Sequence, residues 1–137
     1  MKQIKIIYCI GLLLIVLLCL TSCGRRSLDD FREEGESVTR SLIQELRQIR
    51  TRQQLLSSSK KLQYLFNKLA DIMIAAQEFR QKQKITEKSP DLVNPEISAK
   101  LRLELVRIYK LEGGRQIIEK CQEQALCKLG LHNRKKS

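Results

Sequence analysis

The sequence is poor in the residues that build catalytic, metal-binding or stacking sites. It has no Trp, an aromatic fraction of 4% and a single histidine, His132. Such a low aromatic content argues against a platform on which nucleobases or sugars stack. The chain also lacks a glycine-rich phosphate loop, a G-x-S-x-G motif and an H-E-x-x-H motif. We therefore predict that the protein is not an enzyme and has no catalytic residues, no metal ligands and no cofactor.

Proline and glycine are also scarce, with two and six residues respectively. Sustained alternation of apolar and polar residues, which is typical of strands, is absent as well. Apolar residues instead recur every three or four positions, as they do on one face of a helix. We predict an all-α fold, either a small bundle of three to four amphipathic helices or paired helical hairpins. An extended two-helix coiled coil that dimerises is the alternative.

Short breaks divide this pattern into four predicted helices. The breaks are Ser57-Ser58-Ser59, a loop over residues 86–95 that contains both prolines, and Gly113-Gly114. Asn94 followed by Pro95 is a favourable helix start, and Gly130 is predicted to end the last helix. The predicted helices cover about 29–56, 60–85, 95–112 and 115–129.

The first 23 residues have the order of an export signal. Lys2 and Lys5 precede an apolar stretch, Ile6 to Leu20. This stretch is shorter than the ~20 residues that a helix needs to span a bilayer. It leads into Leu20-Thr21-Ser22-Cys23, which resembles the lipobox of bacterial lipoproteins, where a small residue precedes a cysteine that becomes lipidated. The resemblance covers residues 1–23 only.

The resemblance implies that residues 1–22 are removed as a signal peptide and that Cys23 is lipidated. Two or three acyl chains on Cys23 then anchor the protein in a lipid bilayer outside the cytoplasm, since each buried CH₂ contributes roughly 0.8 kcal/mol. Because Gly24 rather than Asp follows the cysteine, the resemblance favours the periplasmic side of the outer membrane in a cell with two membranes. An uncleaved membrane anchor is the alternative.

On this interpretation the chain has three parts after the signal peptide. Residues 23–28 form the lipidated N-terminus and a short tether. Residues 29–130 form the helical domain, and residues 131–137 form a basic tail.

Basic residues outnumber acidic residues by 26 to 15, which gives a net charge of +11. Outside the cytoplasm the abundant polyanions are lipid headgroups, lipopolysaccharide and wall polymers, so we expect no nucleic acid partner. The candidate contacts to such polyanions are Arg134, Lys135 and Lys136 in the tail. A second basic cluster contains Arg80, Lys82, Lys84 and Lys88.

Cys121 and Cys127 are the two cysteines that remain when the signal is removed and Cys23 is acylated. On an unbroken helix they lie about 10 Å apart, whereas a disulfide needs Cα atoms within about 7 Å. An intact helix and an internal disulfide therefore exclude each other. Three states are therefore predicted for these cysteines. They remain two separate thiols, they form an internal disulfide across a break in the helix, or each forms a disulfide with another chain.

His132 completes a C-x₅-C-x₄-H spacing with these cysteines. That spacing differs from the paired C-x₂-C of structural zinc sites, so we predict no metal there and a solvated His132 in the tail. A redox enzyme that uses Cys121 and Cys127 is a marginal alternative.

These features predict a non-enzymatic, membrane-anchored lipoprotein of the cell envelope. Its helical domain is expected to contact an unidentified envelope protein or anionic polymer, and self-association as a homo-oligomer is left open. The alternative function is a basic module that binds anionic lipid, lipopolysaccharide or cell-wall polymer through its charge.

Overall fold

The computed structural model describes residues 26–86 and 94–135, and four α-helices account for most of this part of the chain. They are α1 (Leu28–Gln48), α2 (Arg52–Lys82), α3 (Pro95–Tyr109) and α4 (Gly114–Arg134). The predicted all-α fold is confirmed. Cys23, Lys88 and Lys136 lie outside the described residues. Within the described ranges, no helix combines the length and apolar character that crossing a membrane requires.

The helices pair as two hairpins, α1–α2 and α3–α4, which lie side by side. Helix α1 packs against α3 along its length. In the first half of α1, the Asn94 backbone N–H donates to Glu36 Oε1 at 3.3 Å. Near its end, Arg47 Nε donates to Glu104 Oε1 at 3.2 Å. The residue numbers increase together along both helices, so α1 and α3 are parallel.

Helix α4 runs parallel to α2 in the same way. The Cys121 thiol donates to the Ser59 carbonyl at 3.4 Å, and Lys128 Nζ donates to Asp71 Oδ1 at 3.0 Å. Both hairpin turns therefore lie at one end of the bundle, which we call the turn end (residues 49–51 and 110–113). The start of α1 and the ends of α2 and α4 lie at the opposite end, which we call the terminal end.

Aliphatic side chains at helical spacing form the core between the hairpins. Each such side chain contributes about 1.5–3 kcal/mol when it is fully buried. Near the terminal end the rings of Phe31 and Phe79 extend the core, with their centroids 5.7 Å apart. The largest fully buried aliphatic side chains are Leu42, Leu46, Ile49, Leu55, Leu62, Ile108 and Ile118.

The first turn lies at residues 49–51, so the predicted break at Ser57-Ser58-Ser59 is wrong. Thr51 begins α2 through a capping box: its hydroxyl accepts from the Gln54 backbone N–H, and the Gln54 side chain accepts from the Thr51 backbone N–H. This box satisfies two N–H groups that otherwise have no partner at the start of a helix. Helix α2 then continues through the three serines, and Leu56, just before them, is 39% exposed.

The second hairpin begins where the sequence predicts. The Asn94 side chain accepts a hydrogen bond from the Glu96 backbone N–H at 2.8 Å, and Pro95 occupies the first helical position. Gly130, however, does not end α4, because the helix continues to Arg134. The predicted basic tail therefore starts later than residue 131, since residues 131–134 are helical.

Candidate functional site

The two predicted basic clusters come together at the terminal end. Lys82 and Lys84 lie at the end of α2, and Arg134 and Lys135 lie at the end of α4, all four with exposed side chains. Because α2 and α4 are neighbours and run parallel, these residues share one end of the bundle although about 50 positions separate them in the sequence.

Lys84 adopts a left-handed backbone conformation, with φ of 52°. Its backbone N–H donates to the Gln81 carbonyl, and the Ile85 backbone N–H donates to the Arg80 carbonyl, both at 3.1 Å. These bonds form a Schellman motif, in which the left-handed position is usually glycine. The motif reverses the chain after α2 and brings Ile85 back to the bundle.

An open cleft lies next to this motif, between the start of α1 and the end of α2. Leu28, Phe79 and Ile85 supply apolar walls, and Arg26 lies at the rim. The guanidinium of Arg26 also sits over the Phe31 ring, 5.4 Å from its centroid. The cleft therefore combines apolar walls with a cationic rim.

The cysteines in α4 lie in different environments. Helix α4 is unbroken through Cys121 and Cys127, and both thiols are free. Cys121 is buried, and this burial raises the pKa of its thiol, an effect that the nearby charge of Lys120 partly opposes. Cys127 is exposed. The geometry therefore does not bring the two sulfurs together as a redox pair.

His132 is not in a solvated tail, which corrects the sequence prediction. It lies in the last turns of α4, where its side chain is 14% exposed and its Nδ1 is 3.9 Å from Glu78 Oε1 on α2. The reason is that α4 extends past Gly130. Residue 132 is therefore helical and lies on the face of α4 that packs against α2. Among residues 26–86 and 94–135, no three His, Cys, Asp or Glu side chains are close enough to hold a metal ion.

A cluster near the turn end was missed by the sequence analysis. Arg107 on α3 donates from Nη1 to the Ile49 carbonyl at 2.7 Å and from Nη2 to the Leu46 carbonyl at 2.5 Å. Both carbonyls belong to the end of α1, where the last helical carbonyls have no partner within the helix. Arg107 therefore fixes α3 to the end of α1.

Glu104 connects the two arginines of this cluster. Its carboxylate accepts one hydrogen bond from Arg107 Nε at 2.9 Å and another from Arg47 Nε at 3.2 Å. Burial raises the pKa of Glu104, but the hydrogen bonds and positive charges of Arg107 and Arg47 outweigh burial and leave the pKa below its usual value. In the sequence, only the three-residue spacing of Glu104 and Arg107 indicates such a pair, because their contacts to α1 join residues about 60 positions apart.

Comparisons with known proteins identify no relative, since no family model, no curated protein and no solved structure matches the chain.

Proposed function

We propose that the protein is a non-enzymatic lipoprotein of the bacterial cell envelope, anchored by acyl chains on Cys23. The lipobox resemblance of residues 20–23 motivates the proposal. One structural observation carries it further: the fold begins at Ser27, which caps α1, only four residues after Cys23. Four residues span at most about 14 Å. The acylated residue therefore holds the terminal end of the bundle close to the headgroup layer.

The chemistry of the terminal end supports this orientation. The cleft walls formed by Leu28, Phe79 and Ile85 provide apolar surface for the boundary between headgroups and acyl chains. The exposed cations at the ends of α2 and α4 face the same layer. Each cation close to an anionic membrane contributes about 1 kcal/mol of binding free energy.

The anchored bundle acts by presenting its surface to another envelope component, not by catalysis. Free thiols that are kept apart, together with a histidine that is packed against α2, give no nucleophile–base pair of the kind that covalent catalysis needs. In a cell with two membranes we assign the protein to the periplasmic side of the outer membrane, because Gly24 follows Cys23.

Replacing Cys23 with Ser tests the anchor. We expect the Cys23→Ser variant to lose membrane attachment or to keep its signal peptide, because the hydroxyl cannot form the thioether that precedes lipoprotein cleavage. Cell fractionation and the mass of the N-terminal peptide provide the measurement. Cys127→Ser is the matched control, since Cys127 is an exposed thiol outside the lipobox, and it should fractionate like the wild type. Membrane attachment of a cleaved Cys23→Ser protein would overturn the proposal.

A further inference from the structure

Four exposed cations meet at the turn end, and none of them belongs to the clusters that the sequence pattern indicates. The first turn and the start of α2 supply Arg50 and Arg52, and the second turn and the start of α4 supply Lys110 and Arg115. The two turns touch, because a Cβ atom at Gly113 would lie 3.5 Å from Arg52 Nε. We call these four residues the turn-end cations.

The acidic residues around the turn end leave this charge largely unbalanced. Residues 46–54 contain no acid, and residues 108–116 contain only Glu112. Two acids on the adjoining parts of α1 and α3 are already paired: Glu104 binds Arg47 and Arg107, and Glu45 binds Lys61 at 2.5 Å. The turn end is therefore a concentrated positive surface.

Helix stability does not account for the position of two of these cations. Arg52 and Arg115 lie in the first turns of α2 and α4, and neither first turn contains an acid. The N-terminus of a helix carries a partial positive charge, so a cation there is unfavourable. Helix α1 shows the stabilising arrangement, with Asp29 and Asp30 in its first turn. An external anion would offset the repulsion at the turn end.

We infer that the turn end is a docking surface for the carboxylates of the peptidoglycan peptide stems. The assignment to the wall rests on the proposed function, which holds the terminal end against the membrane. Helix α1 has 21 residues and is therefore about 30 Å long, so the turn end lies about that far from the anchoring headgroups. Screening limits electrostatic contact to about 8 Å at physiological salt, which puts these headgroups out of reach. Arginine is well suited to the partner, because its guanidinium binds a carboxylate through two parallel hydrogen bonds.

The test is co-sedimentation of the full acylated protein, in detergent micelles, with purified peptidoglycan sacculi. We expect the variant R50Q/R52Q/K110Q/R115Q to bind at least about tenfold more weakly than the wild type, since each cation near an anionic surface adds to the binding free energy. The matched control K60Q/K68Q/R102Q/K120Q removes the same charge from the sides of the helices and should stay within about twofold of the wild type. Equal losses in the two variants, or no loss in the turn-end variant, would overturn the inference.

A second variant separates binding from folding. R52E/R115E reverses two charges and at the same time places acids at two helix starts, where they stabilise the helix. It loses the contact of Arg115 with the Tyr109 ring, 5.2 Å from its centroid, while the new acids favour the helix starts. Its melting temperature should therefore stay close to that of the wild type, although it loses binding to sacculi. Sacculi whose carboxylates have been amidated should also fail to bind the wild type, and undiminished binding to them would contradict the inference. Since co-sedimentation measures the turn end and Cys23→Ser fractionation measures the anchor, failure of one is distinguishable from failure of the other.

Discussion

Gly114 occupies the tightest position in the turn between α3 and α4. A Cβ atom there would lie 2.1 Å from the Ile108 carbonyl oxygen, which is backbone and cannot rotate away. We predict that Gly114→Ala destabilises the protein by several kcal/mol, about 3 kcal/mol or more, because the turn must open and the fully buried Ile108 must shift. Urea denaturation followed by circular dichroism measures this change.

Gly130 provides the control for that substitution. It also lies within α4, but a Cβ atom added there meets nothing within 4 Å. Gly130→Ala should therefore stabilise the protein by about 0.5–1 kcal/mol, since alanine has the higher helix propensity. If Gly114→Ala and Gly130→Ala changed the free energy of unfolding by similar amounts, the turn would be less tightly packed than its geometry indicates.

At the scale of the elements, the contact between α1 and α3 depends on the ionised form of Glu104. Its pKa lies below the usual value of 4.5 in the folded protein. A carboxyl group with a lowered pKa stabilises the fold above its unfolded pKa, and this stabilisation is lost as the pH falls through the folded value. We predict that Glu104→Gln is less stable than the wild type at pH 7 and that the difference narrows steadily as the pH falls below 4.5.

Chemical denaturation at several pH values between 7 and 3 provides the measurement. Glu96→Gln is the control, because Glu96 pairs with Lys100 on the exposed face of α3, where its side chain is 72% exposed. That substitution should change stability much less at pH 7, since solvent screens an exposed pair. If the difference in the free energy of unfolding between the wild type and Glu104→Gln did not vary with pH, the ionised Glu104 carboxylate would not be the group that stabilises this contact.

The elements also show how far the sequence predicts this fold. Helical spacing correctly predicted four helices, because burial on a helix follows a regular period. The start of α2 was placed eight residues too late, at Lys60, although the capping box of Thr51 and Gln54 was a local signal for it. The three serines were misleading because a serine hydroxyl can bond within a helix, as Ser57 Oγ does to the Gln53 carbonyl at 3.0 Å.

The candidate sites were less predictable than the helices. The role of Arg107 and the meeting of Arg52 with the second turn depend on which helices become neighbours. Helical periodicity identifies the face that is buried but not the helix that covers it. The parallel pairing of α1 with α3 and of α2 with α4 therefore had no sequence signal, and the turn-end cations follow from that pairing.

At the scale of the whole molecule, the proposed anchor at Cys23 would make the two ends experimentally distinct. We predict that a fluorophore on Lys84→Cys is strongly quenched by nitroxide headgroups when the acylated protein sits in vesicles. A fluorophore on Lys110→Cys should be quenched far less, because about 30 Å of helix separates the two ends. Steady-state fluorescence provides the measurement, in a background where Cys121 and Cys127 are replaced by Ala and Ser. Equal quenching at both sites would mean that the bundle lies flat on the bilayer.

The parallel pairing has a practical consequence for anyone who labels this protein. Helix α4 ends at the same end of the bundle as α1 begins, so an affinity tag or fluorescent protein that follows α4 would join the chain at the end where the anchor is proposed. Such a fusion crowds the bilayer and leaves both hairpin turns open to their surroundings. An epitope inserted in residues 110–113 would do the reverse and obstruct the surface whose binding is in question.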